Sequence, residues 1–396
     1  MNILQINSTV NTGSTGRIAE GIGLQMMKAR YQSTIAYGRQ KNPSESKTIR
    51  IGNKWDIYTH GLKTLLFDRH GFGSRKATKD LITKIKEVEP DVIGLHNLHG
   101  YYLHVEVLFK ALQRWNIPVI WTFHDCWPFT GHCSHFERVE CGKWKTHCQE
   151  CPLTYAYPKS LVDKSYRNFT LKRACFTGLE NLTIVTPSKW LANLVRQSFL
   201  QEYPVRVIYN GVDTQVFSPE NRSTKKKLVL GVASVWTPFK GYSDFIKLRD
   251  SLPDDWEVVL IGLSDQQIKN LPAGIQGIKK TSNLDELVTW YREAAIFVNP
   301  TYSDNFPTTN IEALACGTPV VTYKTGGSPE AVDKMTGRVV EQGDIQGLVN
   351  AIKELAAHDQ KKLARACRER AERLFNKKDR YQEYVTLYES LVNGRV

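Results

Sequence analysis

The chain has no long apolar run. Nothing in it approaches the ~18 consecutive apolar side chains that a bilayer-spanning helix needs. Its opening, MNILQINSTVNTGSTG, lacks the basic stretch and long apolar core of a secretory leader, so a cytoplasmic location with reduced thiols is expected. No internal repeat recurs at a fixed period, which argues against a solenoid. The dinucleotide fingerprint G-x-G-x-x-G is missing, and the second strand-like run ends in IAYGRQ without the acid that a cofactor ribose would need. Acid is also scarce overall: 40 Asp and Glu face 53 Lys and Arg, a net charge of +13 that implies an anionic partner. Nucleic acid is not expected to be that partner. No zinc-finger spacing, aromatic RNA-binding signature or recognition-helix pattern accompanies the charge.

What is present reads as an ordinary globular chain, 396 residues long, enough for two large α/β domains with ample cores. Strand-like runs alternate with helical ones in both halves: NILQINS, STIAYG, VIGLHN, VIWTFHD and TIVTPS, then RVIYN, LVLGVAS, EVVLIG, QGIKK, AIFVNP and PVVTY. Such alternation predicts two doubly wound parallel sheets covered by helices. The expected domains cover residues 1–209 and 210–378, with a closing helix over residues 379–396. Turn formers and charge mark residues 210–227, NGVDTQVFSPENRSTKKK, as the boundary.

The richest stretch is AIFVNPTYSDNFPTTNIEALACGTPVVTYKTGGSPE, residues 295–330. AIFVNPT has the continuous apolar character of a strand buried on both faces. Pro307 stands where a first helical residue belongs, since its missing N–H costs nothing there. The amides of Thr308, Thr309 and Asn310 would then face outward, the ready anion site of a helix start. Asp304 and Glu312 flank that start. A carboxylate repels phosphate, so these acids are better suited to accepting hydrogen bonds from hydroxyls. Polyols beside phosphates point to a nucleotide-sugar.

This ordered set resembles the donor site of the retaining GT-B glycosyltransferases of family four, in the bacterial subgroup that builds cell-surface polysaccharides. Their signature is two acids separated by seven residues, then a helix, a small-residue end and a glycine pair with a further Glu. The matching residues are Asp304 and Glu312, then ALACGTPVV, then Gly326, Gly327 and Glu330. The first acid is usually Glu, so Asp304 has a shorter reach. TPSKWLANL, YNGVDTQVF and LHNLHG…WTFHDCWPFTGHC extend the likeness to most of the chain. The resemblance implies two Rossmann-like domains facing a central cleft. The acceptor would bind the N-terminal domain and an NDP-sugar, UDP- or GDP-linked, the C-terminal one. No cofactor is required for catalysis on this reading, in keeping with the absence of a D-x-D motif.

Further motifs take roles from the resemblance. Asn11-Thr12-Gly13-Ser14-Thr15-Gly16 follows the first strand, with a helix expected from near Arg17. Gly13 and Gly16 would approach the donor phosphate, and Ser14 and Thr15 the acceptor. His124-Asp125 closes a strongly apolar strand, and carboxyl ends of parallel strands face the ligand crevice. His124 takes the position near the reacting sugar, while Asp125, His96, Asn97 and His99 are acceptor candidates. Lys240, before Gly241, matches the family's phosphate-binding lysine and serves as a point charge. The usual partner arginine is missing from Ser234-Val235-Trp236. The catalytic set expected is His124, Lys240 and Asp304. Donor contacts fall to Gly241, Asn305, Phe306, Pro307, Thr308, Thr309 and Glu312 as well.

Two features lie outside that site. Residues 41–86 hold eleven Lys or Arg against four Asp or Glu. Within them Trp55, Tyr58, Leu62, Leu65 and Leu66 recur at helical spacing beside Lys54, Lys63 and Arg69, which predicts a helix able to lie on an anionic membrane surface. A second basic run from Leu363, LARACRERAERLFNKKDRY, reads as an exposed helix face. Five of the eight cysteines fall between Cys126 and Cys151. Cys133, Cys141, Cys148 and Cys151 could ligate a tetrahedral structural zinc, with His132, His135 or His147 able to replace a thiol. The expected function is retaining transfer of a sugar to a lipid-linked or oligosaccharide acceptor. The alternatives are a nucleotide-sugar binder without transfer activity, or a basic zinc-containing protein that binds anions or nucleic acid.

Overall fold

A computed structural model describes residues 1–220 and 226–394. The chain divides into two compact units, one of residues 1–208 with 381–396 and the other of residues 209–380. The linker expected over residues 210–227 includes residues 221–225, which lie outside the described residues.

The first unit carries seven strands: β1 (Asn2–Asn7), β2 (Gln32–Tyr37), β3 (Lys47–Arg50), β4 (Val92–Leu95), β5 (Val119–Thr122), β6 (Leu182–Thr186) and β7 (Val205–Val207). They form one parallel sheet in the order β3-β2-β1-β4-β5-β6-β7. The second unit carries β8 (Lys226–Val232), β9 (Glu257–Ile261), β10 (Ile275–Ile278), β11 (Ala294–Asn299), β12 (Val320–Tyr323) and β13 (Gly337–Val340), parallel in the order β10-β9-β8-β11-β12-β13. Strand order reverses at β1/β4 in one sheet and at β8/β11 in the other. In open α/β sheets such points gather ligand-binding loops at the strands' carboxyl ends.

The central strands were legible because both faces are covered. Every residue of β4, β5, β6, β11 and β12 is buried. The short strands KTIR of β3 and GRVV of β13 escaped the apolar pattern because each alternates with charge at an edge. The run RVIYN, expected to open the second half, instead supplies β7 of the first sheet, paired to β6.

Amphipathic helices complete the layers. Val105–Trp115 buries Val105, Leu108, Phe109 and Leu112, one apolar stripe at helical spacing. The closing helix, Lys377–Val392, buries Tyr381, Tyr384, Val385 and Tyr388 among Ile3, Ile22, Val92 and Ile120 of the first unit. Among the described residues, no helix is long and apolar enough to cross a membrane.

Candidate active site

In the second unit the two switch-point loops meet. The loop after β8 turns through Pro238–Lys240, and the loop after β11 runs from Pro300 to Pro307. Tyr302 N–H donates to the Phe239 carbonyl at 2.8 Å, and Thr301 Oγ1 donates to the same oxygen at 3.3 Å. Gly241 is needed at this crossing. It holds φ +74°, and a Cβ there would sit 2.2 Å from the Pro300 carbonyl oxygen. Buried Asp244 clamps the same corner by accepting the Tyr302 and Tyr323 hydroxyls at 2.7 and 2.9 Å.

The crossing delivers Lys240 to Asp304, with Nζ 2.6 Å from Oδ2 and both side chains partly exposed. Two residues separated by 64 positions thus share one ion pair. The glycine pair closes on them from β12: Gly327 N–H donates to the Asp304 carbonyl at 3.4 Å. Ser303 Oγ, Ser328 Oγ and Asn310 Nδ2 are buried around this loop without hydrogen-bond partners. Buried polar groups in folded proteins are almost always satisfied, so these three atoms are candidates for hydrogen bonds to ordered water or to a polar ligand.

The helix after Asp304 spans Thr308–Ala315. Pro307 is its N-cap and not its first residue. The Asn310 amide, expected to face outward, bonds the Pro307 carbonyl at 3.3 Å, because the first turn tightens there. The amides of Thr308 and Thr309 remain as the helix-start donors. Glu312 lies one turn after Thr308, on the same face, and accepts the Tyr291 hydroxyl at 3.0 Å. Glu330 accepts the Tyr209 hydroxyl at 3.1 Å. Asn305 and Phe306 are buried, and the Phe306 ring packs at a tilt against Tyr209, centroids 5.2 Å apart.

Two arginines missed by sequence reasoning fix this helix and the turn that carries Glu330. In the Gln360–Phe375 helix, Leu363, Cys367, Ala371 and Phe375 form the buried stripe. Arg368 donates to the Ala315 carbonyl at 3.0 Å, satisfying an orphan group at the site helix's end. Arg370 holds the Glu330 and Ala331 carbonyls at 3.1 and 2.7 Å. The run from Leu363 is therefore not simply an exposed basic face. Its charge density concealed two side chains that reach inward to backbone carbonyls. The missing family arginine has no substitute at its own position: Val235 is exposed, and Trp236 is buried with Nε1 on the Ile261 carbonyl.

In the first unit, the Gly13–Lys28 helix starts at Gly13, not near Arg17. Gly16 is buried against Thr9, and its carbonyl accepts the Asn11 amide at 3.1 Å, while Ser14 is exposed. Beyond β4 and β5, two histidine pairs form. Gln5 Nε2 donates to the Ala19 carbonyl, so its Oε1 is the acceptor for His96 Nε2 at 3.0 Å. His96 Nδ1 must then accept from His124 Nε2, 3.1 Å away. Burial holds both imidazoles neutral: His96 is driven well below its ordinary value and His124 down to about 4, despite the opposing pull of Asp125. His99 Nε2 lies 2.6 Å from Asp125 Oδ2, and Tyr157 reaches His99 Nδ1 at 3.0 Å. Burial works to raise the Asp125 carboxyl, but His99 and the Trp127 amide outweigh it and hold it at about 2. Asn97 is tied by its backbone, its carbonyl accepting the Tyr102 hydroxyl. A cavity of about 200 Å³ opens beside His99, Asp125, His135, Arg138 and Tyr157.

Cys133, Cys141, Cys148 and Cys151 line one smaller cavity, and all four are free thiols. As the side chains stand, no three His, Cys, Asp or Glu among the described residues form a group that could hold a metal ion.

Two family descriptions match the chain: "Glycosyltransferase Family 4" over residues 16–216 and "Glycosyl transferases group 1" over residues 226–358. The putative colanic acid biosynthesis glycosyl transferase WcaC of Escherichia coli is 24% identical over 417 aligned positions, spanning 99% of this chain and 100% of that one. Among solved structures, sucrose-phosphate synthase from Thermosynechococcus elongatus superposes with a TM-score of 0.71 at 19% identity, covering 99% of each chain. Anabaena HepE, in complex with UDP and glucose, gives 0.68 at 15% identity, over 98% of this chain and 100% of that one.

Proposed function

The chain belongs to glycosyltransferase family 4 and has the GT-B fold, and from that premise we propose that it is a retaining enzyme that moves a sugar from a UDP- or GDP-sugar to a lipid-linked or oligosaccharide acceptor in bacterial cell-surface polysaccharide synthesis. The observation that carries the donor assignment is the Lys240–Asp304 pair, set beside a helix start and among buried polar groups that lack partners. A diphosphate entering here draws Lys240 toward its negative oxygens and releases Asp304 to accept donor sugar hydroxyls. The Thr308 and Thr309 amides share the charge that develops as the nucleoside diphosphate leaves. Glu312 takes the ribose hydroxyls. Since a lysine and two amides meet the phosphate charge, the transfer needs no divalent metal.

On the acceptor side, the His99–Asp125–Tyr157 wall offers donors, acceptors and aromatic faces around one cavity, the mixture a carbohydrate requires. His124, neutral and hydrogen-bonded to His96 through Nε2, is the residue to which the family resemblance assigns the position near the reacting sugar. Retention on one face leaves the departing phosphate to help deprotonate the acceptor, so no carboxylate is assigned as nucleophile. The colanic acid relative supports the polysaccharide context, and the UDP and glucose held by the Anabaena neighbour support the donor class.

Attachment to an anionic membrane surface belongs to the same proposal. In the Lys54–Phe67 helix Trp55, Tyr58, Leu62, Leu66 and Phe67 are exposed beside Lys54 and Lys63. Exposed Leu161 extends this apolar surface, its amide bonding the Leu65 carbonyl at 2.7 Å. A monomer rarely presents so many large apolar groups to water without a covering partner, and the flanking cations favour anionic headgroups.

Lys240→Ala tests the central claim against a panel of UDP- and GDP-sugars. Turnover should fall by roughly 10²–10³, the cost of losing one preorganised charge donor. Folding should hold, because a partly exposed ion pair of this kind contributes no more than about 1 kcal/mol. Unchanged kinetics would remove Lys240 from the donor site. A wild-type protein that binds a nucleotide-sugar yet transfers nothing would favour the inactive binder, a reading kept open by the absent arginine.

A further inference from the structure

We propose a zinc site in the first unit, built by Cys133, Cys148 and Cys151 with a fourth ligand from His132 or Cys141. All five side chains line one cavity of about 20 Å³, the volume of a single water-sized guest. The Cys133 and Cys151 thiols are close neighbours in this cavity. Cys148 Sγ accepts the Gly131 amide at 3.2 Å, and Cys151 accepts the Leu153 amide. Backbone N–H groups aimed at sulfur are outer-shell donors of the kind that steady metal-bound thiolates.

His132 is the independent sign. Its side chain is fully buried, and Nδ1 lies 2.7 Å from Asp68 Oδ1. That carboxylate draws the ring proton to Nδ1 and leaves Nε2 with a lone pair. Nε2 is buried without a hydrogen-bond partner. A carboxylate behind one imidazole nitrogen and an unfilled lone pair at the other is the arrangement that orients histidine toward zinc. The charge is also provided for: fully buried Lys172 donates to the Trp127 and Thr130 carbonyls at 2.7 and 3.0 Å, and Thr130 lines the same cavity. A zinc held by three thiolates and one imidazole carries a net negative charge, which a buried ammonium offsets.

The side chains as they stand do not form a metal-holding group. Converging on an ion requires these side chains to move, and the thiol hydrogen bonds given up in doing so are weak. The site is structural, since four protein ligands leave no open position. It would pin the 130–153 segment, whose regular elements are two short turns, Glu137–Val139 and Lys143–Lys145. Cys133 also walls the larger cavity beside His99 and Asp125, so the zinc steadies one side of that pocket.

The test is metal content of the full chain, purified under reducing conditions and dialysed against metal-free buffer. About one zinc per chain is expected, and Cys148→Ser and Cys151→Ser should each reduce it to below about a fifth. Cobalt reconstitution should give the intense near-ultraviolet thiolate-to-cobalt absorption, halved or lost in the same variants. Retention of zinc in His132→Ala with loss in Cys141→Ser makes Cys141 the fourth ligand, and the reverse result makes it His132. Either assignment supports the site. Should a variant fail to fold, zinc release from wild type on thiol titration with p-hydroxymercuribenzoate, read by a chromogenic chelator, gives the same stoichiometry. Less than about 0.2 zinc per chain without cobalt–thiolate absorption would overturn the proposal, as would an intact mass 2 Da low from a Cys133–Cys151 disulfide.

Discussion

Gly326→Ala isolates the geometry on which the donor site depends. Gly326 holds φ +53°, and a Cβ added there would lie 1.8 Å from the Asp304 carbonyl oxygen and 3.0 Å from its carbon. Neither atom belongs to a flexible side chain, so relief requires moving the backbone that presents Asp304 to Lys240. A left-handed alanine costs about 1–2 kcal/mol by itself, and forcing a methyl into packed space adds about 1–3 kcal/mol. A total near 3 kcal/mol should lower the melting temperature of this unit by about 6–12 °C. Displacing Asp304 by an ångström should reduce turnover about 10²-fold, since reacting groups tolerate little misplacement. Gly61→Ala is the control: it lies inside the Lys54–Phe67 helix, and a Cβ there meets nothing within 4 Å. That variant should melt at or slightly above the wild-type temperature, with unchanged kinetics. Differential scanning fluorimetry and a nucleotide-release assay read both quantities. If Gly326→Ala melts within about 1 °C of wild type and keeps full turnover, the close approach of the glycine turn to Asp304 is not what organises the site.

Other outcomes follow from the same coordinates. His124 has its folded-state value lowered from 6.5 to about 4, so between those values the unfolded chain binds a proton that the folded chain refuses. Stability should therefore be full above pH 6.5 and fall as pH drops toward 4, by about 3 kcal/mol from this ring; urea midpoints at pH 7.0 and 4.5 measure it, and His124→Phe should flatten the slope. Adding Mg²⁺ or Mn²⁺ should leave sugar transfer unchanged, and a strict requirement for either would refute the lysine-and-amide account of the diphosphate. The chain should pellet with anionic liposomes at low salt and release at high salt, while Trp55→Ala with Leu62→Ser should weaken the pelleting; equal binding to neutral vesicles would contradict the charge argument. Tyr388→Ala, which empties a fully buried aromatic site beneath the first sheet, should cost about 3–5 kcal/mol, read by chemical denaturation.

The sequence alone settled what local chemistry settles. Runs such as AIFVNP and VVTY are mostly apolar because helices cover both sheet faces, and that continuity is visible in one dimension. The spacing of Asp304, Glu312 and the glycine pair was equally plain, since one continuous strand–loop–helix–strand stretch and the turn after it carry them all. Tertiary structure decided the rest. Lys240 meets Asp304 only because two loops cross at the β8/β11 reversal, and no periodicity encodes a contact between residues 64 positions apart. Arg368 and Arg370 looked like solvated charge until their guanidinium groups were found on carbonyls that end the site's helix and turn. Edge strands β3 and β13 went unread because a half-covered strand mixes charge with apolar residues. His132 shows the difference most simply: a histidine among cysteines is a composition, whereas a buried lone pair backed by Asp68 is a direction in space, which folding alone supplies.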